Sequence, residues 1–172
     1  MTKTLLLMRH AKSSWADPDQ PDAERPLTAR GKREAERMGQ ELYRRGLAPA
    51  QILCSTAKRA RSTANRVVEA APPDAEPPVV LDSRLYASDA AAYRRVLADE
   101  AQGDTVLLIG HNPTLEELAS AMVGQTMVLS TANVVVVSLD LANWCDLNGQ
   151  THGLLLALLA PRDLAIVPLE ED

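Results

Sequence analysis

The chain has 172 residues, 46% of them apolar and 24% charged, a balance that supports a core large enough to fold and excludes general disorder. Aromatic residues make up only 3%, phenylalanine is missing and the formal net charge is −5, which argues against base stacking and against a nucleic-acid partner. Apolar runs fall far short of the roughly 20 residues of a membrane span, and Cys54 and Cys145 lack Cys-x-x-Cys or Cys/His spacing. No membrane partner, disulfide or zinc site is therefore expected, but rather two buried reduced thiols and a cytoplasmic location.

In chain order, residues 3–8 read as a strand that is apolar throughout, as when helices cover both faces of a sheet. Met8-Arg9-His10-Ala11-Lys12 follows directly, so an arginine and a histidine stand where that strand ends. A loop rich in Pro and Asp comes next. Thr28 then caps a helix from about Ala29, with Ala35, Met38 and Leu42 facing inward and Gly46 as the stop. Ile52-Leu53-Cys54 is a second strand, and residues 58–70 form a second helix burying Ala60, Ala64, Val67 and Val68. Residues 71–78 have a linker's composition, but a cut there would strand two strands and two helices, so they read as a surface loop.

Residues 79–81 form a short strand, Ser88 caps a helix to about Glu100, and Gly103-Asp104 turns into a strand over 105–109. Asn112 caps the next helix with Pro113 at its first position and Leu115, Leu118, Ala119 and Met122 on the core face. Residues 131–139 and 153–159 complete the chain as a hairpin of two strands. This alternation predicts one α/β domain over residues 1–172: three layers, α/β/α, around a mostly parallel central sheet with a C-terminal antiparallel strand or hairpin. No GxGxxG or GxxxxGK[ST] follows a strand, which removes most of the weight from a nucleotide-binding fold.

Ligands of such sheets bind beyond the carboxyl ends of the strands. There the pattern of apolar strand, turn and basic residue occurs three times, in Arg9-His10, in Ser55 to Arg59, and in Gly110-His111-Asn112-Pro113. Arg9, His10, Arg59 and His111 are thus expected at one edge of one sheet. A neutral imidazole beside fixed cations suits attack on a dianionic group such as a phosphoryl.

Four segments, Met8-Arg9-His10-Ala11-Lys12-Ser13-Ser14-Trp15, Arg25-Pro26-Leu27-Thr28-x-x-Gly31, Ser55-x-x-x-Arg59-Ala60-x-x-Thr63 and Gly110-His111-Asn112-Pro113, resemble the histidine phosphatase superfamily, most closely its SixA-like phosphohistidine phosphatase branch. The resemblance spans roughly positions 3–163. It implies that His10 is the nucleophile, that Arg9 and Arg59 clamp the phosphoryl oxygens, and that His111 donates to the transferring group. Neither a metal nor another cofactor is implied, because fixed cations already surround the phosphate. His152 reads as a solvated bystander.

Arg25 either touches substrate or pairs with Asp22 or Glu24; Lys12 and Ser13 either donate to phosphate or only pack; Asn112 serves first as a helix cap and second as a substrate contact. Arg61 points away from Arg59, since neighbours at i,i+2 do not share a helix face, and Ser55 and Thr63 position the Arg59 loop. One departure stands out. Members that cleave esters carry a general-acid glutamate in Leu-x-Glu-Arg-x-Tyr-Gly, and this chain has Leu81-Asp82-Ser83-Arg84-Leu85-Tyr86-Ala87, with Ser83 at the acid's position and Asp82 expected to point the other way. An alkoxide needs that proton, whereas imidazole leaving from phosphohistidine can already carry one on its other nitrogen. Protein phosphohistidine is therefore the expected substrate, with a small-molecule phosphomonoesterase or mutase, and a phospho-binding module without turnover, as the rivals. The oligomeric state is left open.

Overall fold

In the computed structural model, which describes residues 1–164, alternating side chains of fully buried strands divide the core into two halves. Residues 165–172, the end of the expected 1–172 domain, lie outside the described residues. In β1 (Lys3–Arg9), Leu5 and Leu7 face one way and Leu6 and Met8 the other, and all four are inaccessible to solvent. Leu6 and Met8 pack with Ile52 and Cys54 of β2 (Gln51–Ser55) under α1 (Ala29–Arg44) and α2 (Lys58–Glu69). Leu5 and Leu7 pack with Val106 and Leu108 of β4 (Thr105–Gly110) under α3 (Ala90–Glu100) and α4 (Thr114–Val123). A sheet whose two faces are both apolar needs a helix layer on each, hence the three layers.

Six strands lie in the order β3 (Val79–Asp82), β2, β4, β1, β5 (Val134–Leu139), β6 (Gly153–Leu159). The pairs β3–β2, β2–β4 and β4–β1 are parallel, while β1–β5 and β5–β6 are antiparallel. This is the expected mostly parallel sheet ending in an antiparallel hairpin. Its order makes β2, β4 and β1 neighbours, so the three loops that carry Arg59, His111 and His10 emerge side by side. Among the described residues no helix is long and apolar enough to cross a membrane.

Several local expectations are corrected. Asp89, not Ser88, caps α3: its carboxylate accepts from Ala92 N at 2.8 Å, while the Ser88 hydroxyl donates to the Arg84 carbonyl. Asn112 does not cap α4, because its amide nitrogen is bound to Glu116 at 2.9 Å and to the Leu129 carbonyl at 2.8 Å; Pro113 takes the cap position and the helix starts at Thr114. Cys54 is buried but Cys145 is exposed, on a short 3₁₀ turn beyond β5. Val68 is only half-buried, and β5 begins at Val134, three residues later than periodicity suggests.

Thr28 caps α1 as expected, accepting from Gly31 N at 3.0 Å, and Gly46 follows the helix with φ +71°. The first turn of α1 carries the loop that follows His10. Thr28 N donates to the Lys12 carbonyl at 2.9 Å, Ser14 N to the Pro26 carbonyl at 2.8 Å, and Ser13 and Leu27 form an antiparallel bridge. Gly31 permits this contact, since a Cβ there would stand on the Lys12 carbonyl oxygen. Gly31→Ala should therefore overpack the junction and cost about 1–3 kcal/mol, lowering Tm in a thermal melt, whereas Gly149→Ala, where a Cβ meets nothing within 4 Å, should change stability by no more than about 0.5 kcal/mol. Equal, small effects of the two would mean that the loop is held elsewhere.

Candidate active site

The carboxyl ends of β1, β2 and β4 open into a cavity of about 380 Å³. Its lining includes all eight residues singled out from the sequence: Arg9, His10, Lys12, Ser13, Arg25, Arg59, His111 and Asn112. His10 leaves β1 with its backbone N–H still bonded to the Gly110 carbonyl of β4 at 3.2 Å. Ala11 N donates to Thr63 Oγ1 at 3.0 Å, and that hydroxyl donates to the Arg59 carbonyl at 2.8 Å, so Thr63 ties the His10 loop to the first turn of α2. His111 is tied in the same way, its N–H donating to the hydroxyl of the buried Tyr93 at 3.2 Å.

The hydrogen bonds fix the state of both imidazoles. His10 Nδ1 lies 2.8 Å from the Ala11 carbonyl, which only accepts, so Nδ1 carries the proton and Nε2 keeps a lone pair. Arg59 Nε, a donor, faces that lone pair at 3.3 Å. His111 Nδ1 is 3.4 Å from Arg59 Nη2, again a donor, and its Nε2 is 2.8 Å from Ser55 Oγ. The pocket-facing Nδ1 of His111 is thus an acceptor towards Arg59 and becomes a donor only on protonation. Ser55, besides holding the Arg59 loop through Ala57 N at 3.2 Å, orients this second histidine.

Three arginines surround the two rings, whose centroids are 5.1 Å apart. Burial is the largest cause that lowers the pKa of His10 to about 4, and Arg59, Arg9 and Arg25 reinforce it against the opposing hydrogen bond to Ala11. His111 is pushed down to about 3 by burial first and then by His10 and Arg59. Both imidazoles are therefore neutral at neutral pH. Arg9 Nη1 donates to the Leu129 carbonyl at 3.1 Å, while its Nε has no partner among the described residues. Asn112 and Glu116 fix that same Leu129.

Arg25 pairs with Asp22 at 3.1 Å, one of the two roles expected for it, and its Nη1 donates to Ser13 Oγ at 2.6 Å while the side chain lines the cavity. Ser13 thereby serves as an acceptor for arginine. Arg61 and His152 do not line the cavity. Neither do Ser83 and Asp82, whose segment contributes Tyr86 and Ala87 instead; Ser83 is exposed and Asp82 is paired with Arg84 at 2.7 Å.

Five further lining residues, Trp15, Asp22, Tyr86, Ala87 and Thr131, lie outside that set, and two of them bear on the chemistry. Trp15, 72% exposed at the rim, stacks on Arg25, whose guanidinium carbon is 3.6 Å from the ring centroid. Asp22, on the 3₁₀ turn Asp22–Glu24, is the one carboxylate among the described lining residues. Its Oδ2 accepts from Tyr86 at 2.7 Å and from Arg59 Nη2 at 3.0 Å, and its Oδ1 from Arg25 Nε. The Tyr86 hydroxyl first, then the two arginines, hold its pKa down to about 2. Its only sequence signal was its place three residues before Arg25 in an acidic loop.

A sequence profile of the histidine phosphatase superfamily (branch 1) matches residues 5–90. A protein of Mycobacterium leprae is 37% identical over 121 residues, covering 68% of this chain and 71% of its own length. Among solved structures, one assigned as the phosphohistidine phosphatase SixA from Nakamurella multipartitia superposes with a TM-score of 0.78 at 28% identity, over 94% of this chain and 97% of its own. A second, assigned as SixA from Agrobacterium tumefaciens, has a TM-score of 0.77 at 28% identity, over 92% of this chain and 99% of its own.

Because the folded site favours neutral imidazole, protonating His10 should require acid well below the usual range. An NMR titration of the His10 ring should give a midpoint near 4, and stability should decline as the pH falls from about 6.5 towards that value, since the unfolded chain binds the proton first. A midpoint at 6.5 would remove the electrostatic account of the nucleophile.

Proposed function

The chain belongs to the histidine phosphatase superfamily, in its SixA-like branch, and on that premise we propose that it is a metal-independent phosphatase that dephosphorylates protein phosphohistidine through a covalent intermediate on His10. We further propose that residues 1–172 make up one such domain and that it works in the cytoplasm. The observation that carries the mechanism is the tautomer of His10. With its proton on Nδ1 bound to the Ala11 carbonyl, the ring directs an Nε2 lone pair towards the Arg59 side of the cavity.

In the first step Nε2 forms a bond to phosphorus while the bond from phosphorus to the leaving nitrogen breaks and its electron pair returns to that nitrogen. Arg59 releases Nε2 as phosphoryl oxygens take over its donors, and Arg9 Nε, which has no partner among the described residues, offers another. A dianion between the rings favours the protonated form of His111, whose Nδ1 then donates as well. Water afterwards attacks phosphohistidine-10, the bond to Nε2 breaks, and neutral His10 is restored. Three arginines and two imidazoles form a set suited to an anion, whereas divalent cations of the magnesium type seek several oxygen ligands.

The leaving group decides between a phosphoramidate and an ester. Ser83, at the acid's place in the sequence, is exposed and outside the cavity, and the Tyr86 hydroxyl together with Arg25 and Arg59 keeps the Asp22 carboxylate ionised, so neither position offers a proton to an alkoxide. Phosphohistidine leaves without one, which supports it over a small alkyl phosphate.

His10→Ala should abolish both turnover and labelling, and the wild-type label should be acid-labile and alkali-stable, as a P–N bond is; undiminished turnover in the variant would assign the nucleophile elsewhere. Activity should also survive exhaustive chelation. Its loss with EDTA and return with one divalent ion would replace the metal-independent mechanism.

A further inference from the structure

We propose that the Asp22 carboxylate sets the leaving-group preference of this site by accepting the N–H of a protonated leaving nitrogen base, so that phosphoramidates are favoured over phosphate esters. The inference rests on the reaction proposed above. Its starting point is that one guanidinium spans the nucleophile and the carboxylate: Arg59 Nε is 3.3 Å from His10 Nε2, and Arg59 Nη2 is 3.0 Å from Asp22 Oδ2. Exposure rises along the same line, from a buried His10, through an Arg59 side chain 7% exposed, to an Asp22 side chain 49% exposed. In an in-line displacement the leaving atom lies on the side of phosphorus opposite Nε2. On this proposal that side is the more exposed end of the cavity, where Asp22 stands beside Tyr86.

The carboxylate has room for a further donor. Among the described residues Oδ2 accepts from Arg59 and from Tyr86, but Oδ1 accepts only from Arg25 Nε. A carboxylate has about four acceptor positions. A phosphorylated imidazole whose other ring nitrogen is protonated carries a cationic N–H of the kind such an oxygen binds best. When the P–N bond breaks, the pair returns to the leaving nitrogen, and the ring departs as neutral imidazole with its proton in place. The unprotonated ring would instead have to depart as an anion. Asp22 therefore selects the form of the substrate that can react, and an ester, which offers no cationic N–H there and leaves with negative charge, meets only repulsion from it.

Two other roles for Asp22 predict something different. If it only held Arg25 and Arg59 in place, its loss would affect every substrate alike, because the arginines contact the phosphoryl group that all substrates share. If it were a general acid, its loss would harm esters with basic leaving groups more than phosphoramidates.

The test is the ratio of kcat/KM for phosphoimidazole to that for 4-nitrophenyl phosphate in the wild type and in Asp22→Asn, with Asp22→Ser as a second variant against an idiosyncratic effect of the amide. The half-exposed position keeps both variants within reach of the fold, which their Tm values check. The ratio should fall about tenfold or more, the order of one charge-assisted hydrogen bond. A ratio that stays constant or rises in the variants overturns the inference while leaving the phosphatase reading intact. A wild-type protein that turns over neither compound overturns both.

Discussion

The guanidinium of Arg59 donates towards His10, His111 and both the carboxylate and the carbonyl of Asp22, and the shape of the cavity depends on that one side chain. Its neighbours could not hold this geometry by themselves. Two imidazoles 5.1 Å apart would repel each other if charged, and it is burial together with the nearby guanidinium groups that keeps them neutral. The same cation that depresses their basicity orients their lone pairs. A nucleophile needs a free electron pair rather than a high pKa, and this arrangement supplies one at neutral pH without a separate base.

The fold makes that arrangement possible through strand order. With β4 between β2 and β1, the loops after these three parallel strands converge, and each strand is buried enough to hold its end rigidly. Side-chain bonds across the loops complete the work: Thr63 joins Ala11 to Arg59, Tyr93 holds His111 N, and Asn112 with Glu116 fixes the Leu129 carbonyl that receives Arg9. Gly110 belongs to the same frame. A Cβ there would stand 2.7 Å from the Tyr93 hydroxyl, so the absence of a side chain lets that hydroxyl reach the backbone below His111.

What could be read from the sequence and what could not separate along physical lines. Arg9, His10, Arg59 and His111 were legible because each follows a run of buried apolar residues, and the end of such a run in an α/β sheet is a place of defined geometry. The two helices under β2 were legible for the same reason, from their apolar spacing. The caps of α3 and α4 were not, since Ser88 and Asp89 are both good cap residues and Asn112 has an amide that neighbours 4 and 17 residues away claim first. Asp22 was the least legible. In the sequence it is one of several acidic residues in a loop, and its meaning arises only from Arg59 and Tyr86, 37 and 64 residues further on.

That carboxylate completes the charge pattern of the site. A cavity lined by arginines alone would bind any dianion, and binding the ground state and the transition state equally well does not accelerate the chemical step. Placing one negative group at the mouth makes the field polar along the reaction axis, positive around the phosphoryl group and negative where the leaving group departs. Charge of opposite sign at the two ends favours a substrate that is itself a zwitterion, anionic at phosphorus and cationic beyond it. A serine in place of a protonated acid at Ser83 and the Tyr86 hydroxyl and arginines that keep Asp22 ionised thus act in the same direction: the first takes away a means of expelling an alkoxide, and the second favours a base that brings its own proton.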